Sequence, residues 1–297
     1  MNNKRQLGFA LAFLGVVMFS AKAVMVKLAY VNGVEAVSLL LLRMLFALPV
    51  YLLITSLNFS KLKTRLNPKN LWALLLFGFL GYYLASYFDF LGLKFIKASL
   101  ERIILFIYPT IVLILSFLFL KKKIESRQVI AIAITYLGVL VMYYQEPDFS
   151  STESMLGVGL ILLSALTYAS YLVGSDWLIP QLGSTLFTSL AMIVSCICVI
   201  LHYCMVGDFD LFNYPAEVYG LSIAMATLST IIPSYLISYA IKLLGASDFS
   251  VMASMGPVST IILAWVFLGE QLTVIQIVGA IVVIVGVYYV TRKKQKS

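Results

Sequence analysis

Lys22 and Arg43 are the residues of this chain whose type and placement most directly suggest chemistry. Each lies inside a long apolar stretch, where an ionised side chain is costly and normally faces a bundle interior or a water-filled cavity. Counted at about 1.5 Å per helical residue, Lys22 stands about 22 Å above one membrane face and Arg43 about 13 Å below the other. In a hydrocarbon core about 30 Å thick these heights nearly coincide. Two cations at one depth, with no carboxylate between them, call for an anion. A guanidinium fork beside an ammonium point charge suits a carboxylate or a phosphate. Arg43 has a second reading, in which it bonds helix-end carbonyls or pairs with Asp89 or Glu101. Lys27, near the outer edge, can snorkel to the interface and reads as structural.

Asp89, Glu101 and Arg102 fall near the outer ends of their apolar stretches. Glu101 can complement the start of a helix, or the three can form an outer gate of ion pairs that breaks when a cavity opens. Asp176 is the candidate for an inner counterpart. Polar residues follow helical spacing in several stretches: Tyr82, Ala85 and Asp89; Ser164, Thr167, Tyr171 and Gly174; Thr227, Thr230, Ser234 and Ser238. Such stripes serve small-residue helix packing or a binding surface. Tyr82, Tyr83, Tyr87 and Tyr108 join an aromatic face to a hydroxyl, which suits a mixed organic solute. The substrate-contact candidates are therefore Lys22, Arg43, Tyr82, Tyr108, Tyr171 and Ser234.

The elements that must hold these groups are helices. The chain is 62% hydrophobic and 11% charged, and apolar runs of about 20 residues recur from end to end. Short loops separate them, without the alternation of an outer-membrane barrel. Ten spans are expected, at roughly 7–31, 34–57, 70–92, 98–120, 126–144, 156–178, 184–206, 216–240, 246–268 and 273–290. The net charge of +8 does not imply nucleic acid, because the cations sit at membrane edges and set topology. Cys196, Cys198 and Cys204 share one apolar run and form neither a disulfide framework nor a metal spacing. A single His and no clustered acid–base group argue against a membrane enzyme, and no cofactor or metal is implied.

The chain also repeats itself. Adding 148 to a residue number carries Ala98-Ser99 to Ala246-Ser247, Pro109 to Pro257, Gln128 to Gln276 and Gly138-Val139 to Gly286-Val287. A fixed register of Pro, Gln and Gly marks an internal repeat, with halves at 1–145 and 146–297. Pro109 and Pro257 each remove a backbone donor, so paired helix bends are expected. Fifteen Lys and Arg fall on one side, including Lys4, Arg5, the Lys61–Lys69 loop and Lys121 to Arg127, whereas the other side has Lys94 and Lys97. Both termini are then cytoplasmic. Five spans per half is an odd number, so the second half enters the membrane inverted, a recurring design of secondary transporters.

The pattern Ala246-Ser247, Pro257, Leu268-Gly269-Glu270-Gln271-Leu272, Gln276, Gly279 and Gly286 resembles the EamA-type drug/metabolite transporters across nearly the whole chain. That resemblance implies ten helices in two inverted five-helix repeats. Two positions depart from it: the Leu-Gly-Glu motif reads Leu120-Lys121-Lys122 at the end of span four, and a Trp-Gly pair reads Phe19-Ser20. The expected protein is an all-α transporter of the cytoplasmic (inner) membrane, working by alternating access. Its cargo would be a small organic metabolite such as an amino acid or another amphipathic anion or zwitterion, with a proton or counter-substrate as coupling partner. The alternatives are an exporter of organic cations or drugs and a channel-like facilitator.

Overall fold

The computed structural model describes residues 3–60, 67–142, 152–207, 211–269 and 273–291. The charges at Lys61, Lys63, Arg65, Glu146, Asp148, Asp208, Asp210 and Glu270, and those from Arg292 onward, lie outside the described residues. Within them the chain is helical. Long helices follow the apolar runs: α1 (Asn3–Tyr30), α2 (Ala36–Leu57), α3 (Pro68–Phe95), α7 (Thr152–Leu182), α8 (Ser184–Val206) and α9 (Ala216–Leu244). Two runs are divided, into α4 (Ala98–Leu105) with α5 (Tyr108–Leu120), and α10 (Ala246–Met252) with α11 (Gly256–Leu268). Shorter apolar helices α6 (Ser126–Met142) and α12 (Val274–Thr291) complete the set. Seven helices are long and apolar enough to cross a membrane, counting Ala246–Phe267 as one, and Tyr108–Leu120, Ser126–Val141 and Val274–Tyr289 are apolar but shorter.

Local chemistry sets the helix ends. Asn67 accepts a hydrogen bond from the Asn70 backbone N–H at 2.8 Å while Pro68 occupies the first turn, satisfying a donor where proline's missing N–H costs nothing. A single residue, Gly183 (φ 84°), separates α7 from α8, and Gly245 (φ 83°) alone separates α9 from α10. Both need the left-handed backbone that only glycine adopts without penalty.

Irregularities recur in register. A turn of π-helix occupies Phe79–Leu84 in α3 and another occupies Thr227–Ile231 in α9, and adding 148 to 79 gives 227. The α4–α5 break falls at Phe106-Ile107, whereas α10 passes to α11 through a tight 3₁₀ turn at Ala253–Met255. Each break lies one turn before its proline, so Pro109 and Pro257 open the second segments rather than bend a continuous helix. That placement keeps the proline ring in a first turn, where it disrupts least.

The two halves interlock. α1 lies along α9, α2 against α8, α3 against α7 and α6 against α12. Glycines allow the last crossing. A Cβ on Gly138 would come within 2.7 Å of the Val283 backbone nitrogen, and one on Gly286 within 2.6 Å of Thr135. Outward faces carry exposed large apolar residues such as Trp72, Phe119 and Phe267, as expected where lipid replaces water as the solvent.

Candidate functional site

The centre of the bundle holds a charged cluster that depth counting did not anticipate. Lys22 Nζ lies 2.6 Å from Asp89 Oδ2, and both side chains are almost fully buried. Arg102 Nε lies 3.1 Å from Glu101 Oε2, with Glu101 wholly buried. The Glu101 and Asp89 carboxyls stand within hydrogen-bonding reach of each other. Expecting two cations without an intervening carboxylate was therefore wrong: Asp89, on α3, reaches the Lys22 level and neutralises it. Height along a helix says nothing about which way a residue faces, and Asp89 faces inward.

Arg43 is 1% exposed, its guanidinium 4.9 Å from the Phe90 ring centroid, and its Nε and Nη2 have no hydrogen-bond partner among the described residues. It lines neither of the two cavities beside Lys22 and Arg102. Arg102, expected as a gate residue, does face a cavity, with its Nη2 unpartnered among the described residues. Lys27 is half-buried near the C-terminal end of α1.

Two small cavities meet at this cluster. One, of about 30 Å³, is lined by Phe19 and Ser20 of α1, Arg102 and Leu105 of α4, and Ala253 and Pro257 beside the α10–α11 turn. It sits between the two helix breaks. The other, of about 10 Å³, is lined by Lys22, Tyr82, Ser86 and Ser164 and shares Phe19, Leu105 and Tyr168 with the first. These volumes suit one or two water molecules. An organic solute requires the surrounding helices to part.

An aromatic cluster forms the remaining wall. Tyr108 and Tyr82 meet Tyr168 and Tyr171 edge to face, with centroids 5.5 Å and 5.2 Å apart, while Phe19 stacks on Tyr168 at 5.9 Å. Four of the expected substrate-contact residues, Lys22, Tyr82, Tyr108 and Tyr171, thus come together. Ser234 does not: its hydroxyl meets that of Tyr51 at 2.9 Å and bonds the Ile231 carbonyl, next to the π turn of α9. Tyr168 was missed, although it lies four residues beyond Ser164 and three before Tyr171, the same helical spacing. His202 is occupied by ring contacts with Tyr83 and Tyr87 at one edge of the bundle.

A second charged group lies at the end of the bundle carrying Arg5. Asp248, in the first turn of α10, receives Arg127 Nη2 at 3.0 Å, Gln128 Nε2 at 2.9 Å and Arg5 Nη2 at 3.4 Å. Nearby, Asp176 pairs with Lys122 at 2.5 Å and accepts the Ala246 backbone N–H at 2.9 Å. Every partner of these acids except the Ala246 amide comes from the first half of the chain. Asp248 was not singled out in the sequence. Its signal was that the repeat places Leu100 opposite it. At the other end, Lys94 pairs with Glu35.

Comparison with known proteins fits this architecture. The model of the EamA-like transporter family matches the chain twice, at residues 6–144 and 155–292. An uncharacterized transporter of Bacillus subtilis (strain 168), YcbK, is 29% identical over 98% of this chain and 95% of its own length. An uncharacterized transporter of Archaeoglobus fulgidus is 26% identical over 77% of this chain and 81% of its own. A crystal structure sharing 14% identity superposes with a TM-score of 0.76 over 96% of this chain and 98% of that one, so the fold occurs in a solved structure. With the family model matching nearly end to end, the chain belongs to the EamA-like transporter family and is a multi-pass membrane transporter.

Proposed function

We propose that this transporter carries a small organic metabolite bearing an acidic group, an amphipathic anion or a zwitterion such as an amino acid, by alternating access across the cytoplasmic membrane. The observation that carries the reading is Arg102: an almost fully buried guanidinium whose Nη2 has no hydrogen-bond partner among the described residues, facing a cavity that lies between two helix breaks and is walled by Phe19, Tyr108 and Tyr168. Discontinuous helices near the middle of a bundle are where such transporters hold their substrates. Charge adds support. Lys22, Arg43 and Arg102 face two buried carboxyls, Asp89 and Glu101, so the cluster has a cationic surplus that an acidic group would offset. A quaternary ammonium would meet carboxyls already engaged by Lys22 and Arg102.

In this reading the seven long helices and the three shorter apolar ones make ten spans in two five-helix repeats, 1–145 and 146–297. The doubled family match and the recurrence of π turns and breaks at one offset support the division. An odd number of spans per repeat inverts the second half, and the Lys/Arg asymmetry puts both termini in the cytoplasm.

The test is a ligand-stabilisation screen on purified protein with acidic, zwitterionic and cationic metabolites, since a ligand that binds only the folded state raises apparent stability by mass action. Acidic or zwitterionic compounds are expected to raise the Tm of the wild type and not of Arg102→Met. Stabilisation by quaternary amines alone would overturn the reading.

A further inference from the structure

Asp89 and Glu101 present an arrangement that ion pairing leaves incomplete. All four carboxyl oxygens are buried, and none has a hydrogen-bond partner of good geometry among the donors of the described residues. Lys22 and Arg102 make one close charge contact each. The carboxyls nevertheless stand within hydrogen-bonding reach of each other. Two ionised carboxylates are both acceptors and would repel in a low-dielectric interior. A carboxyl–carboxyl hydrogen bond needs one proton between them.

The surroundings favour such a proton without supplying it. Lys22 from α1 and Arg102 from α4 provide the charge facing the pair, and Arg43 from α2 acts on Asp89. Tyr82 of α3 and Tyr168 of α7 stand nearby, and Tyr30 of α1 is committed to the Phe90 carbonyl, to which its hydroxyl donates at 2.6 Å. Two small adjoining cavities lie beside the cations of the pair: Lys22 lines one, with Ser86 and Ser164, and Arg102 lines the other. Each has room for about one or two waters, enough to relay a proton.

We propose that the Asp89–Glu101 pair is a proton-binding site and that its proton is the coupling ion of the transport cycle. The proton exchanges with water by way of the adjoining cavities lined by Lys22 and Arg102. Holding it keeps the two carboxyls joined, and with them α3 to α4. Losing it sets two carboxylates against each other, so that each turns to its own cation and the α3–α4 contact loosens. The Lys22–Asp89 and Glu101–Arg102 pairs have no counterpart in the second half, where the repeat offset falls on Ser170, Ile237, Phe249 and Ser250, so this switch acts on one half only. The coupling role rests on the transport reading above; the proton site does not.

The test uses the proton itself. Infrared difference spectra between acidic and alkaline buffer, recorded in H₂O and D₂O on purified protein, should contain the isotope-sensitive carbonyl band of a protonated carboxyl in the wild type. Both Glu101→Gln and Asp89→Asn should lose it. Absence of the band from the wild type, or its survival in both variants, would overturn the site. Loss in Glu101→Gln with survival in Asp89→Asn would reduce it to one buried neutral acid and overturn the pair. Because Asp89→Asn removes the partner of Lys22, Glu101→Gln, which keeps size and hydrogen bonding, guards against misfolding. Coupling is read separately, from labelling of Ala253→Cys by a membrane-impermeant maleimide in a background lacking the three native cysteines. Labelling should change several-fold with pH in the otherwise wild-type protein and stay flat when Glu101→Gln is added. A proton band without pH-dependent labelling would make the proton structural and overturn the coupling. Neither readout uses a substrate, so failure of the anionic-metabolite reading leaves both intact.

Discussion

Lys121 holds the left-handed backbone conformation, with φ 53°, that Gly269 holds with φ 68° at the equivalent position of the second half. Both terminate helices that follow a break, α5 and α11. Glycine enters this conformation freely, whereas a side chain with a Cβ costs about 1–2 kcal/mol. The family's Leu-Gly-Glu motif thus has a local physical cause, and the first half departs from it at the price of strain. Lys122, next in the chain, pairs with Asp176, so the altered sequence also supplies a contact that Gly-Glu could not.

Replacing Lys121 with Gly should therefore stabilise the protein. Relief of the left-handed penalty is partly offset by the extra freedom glycine gives the unfolded chain, leaving a gain of up to about 1 kcal/mol. Thermal unfolding in one detergent should show a higher Tm for Lys121→Gly and a lower one for Gly269→Ala. A lower Tm for Lys121→Gly would mean that the lysine side chain contributes more than its backbone costs.

Asp248 and Asp176 bind the second half to Arg5, Arg127, Gln128 and Lys122 of the first. If halves rock against each other, these ties must release when the Arg5 end opens. Asp248→Asn keeps the size and weakens three partners together. It should raise labelling of Ala253→Cys several-fold from the membrane face that carries Arg5. Unchanged labelling would leave the cluster as a static fastening.

The paired breaks carry a prediction about rate rather than folding. Pro109→Ala and Pro257→Ala restore a backbone donor at the start of α5 and α11, allowing each broken helix to run straighter. Both variants should stay folded and transport more slowly, measured as uptake of a stabilising acid into proteoliposomes. Full rates in both would make the breaks incidental to the cycle.

Much of the architecture was legible because the membrane enforces it. Apolar runs gave α2 and α8 nearly to the residue, 34–57 against Ala36–Leu57 and 184–206 against Ser184–Val206. The register of Pro109 with Pro257 pointed to the paired breaks, though each falls one turn before its proline. The π turns were hidden, since nothing in Phe79–Leu84 or Thr227–Ile231 differs in type from ordinary helix. In the site, residue type marked Lys22, Asp89, Glu101 and Arg102 as unusual, but pairing depends on rotation about each helix axis. Counting rise gives height alone. That is why Lys22 was matched with Arg43 at equal depth and not with Asp89, which faces it.

The Lys22–Asp89 pair allows its own role to be measured. Removing one member of a buried ion pair strands the other and typically costs about 3–5 kcal/mol, whereas replacing both with apolar residues is often close to neutral. Lys22→Met should therefore lower Tm sharply by leaving Asp89 beside Glu101 with one cation fewer, and Asp89→Leu should do the same by leaving Lys22 unpaired. The double variant Lys22→Met/Asp89→Leu should recover most of the loss, and the shortfall from additivity measures the coupling of the two residues. Glu101 then keeps Arg102 as its partner at 3.1 Å, so the double variant should fold while losing its pH-dependent labelling. Additive losses would mean that the two side chains contribute independently and that the 2.6 Å contact is not what holds α1 to α3.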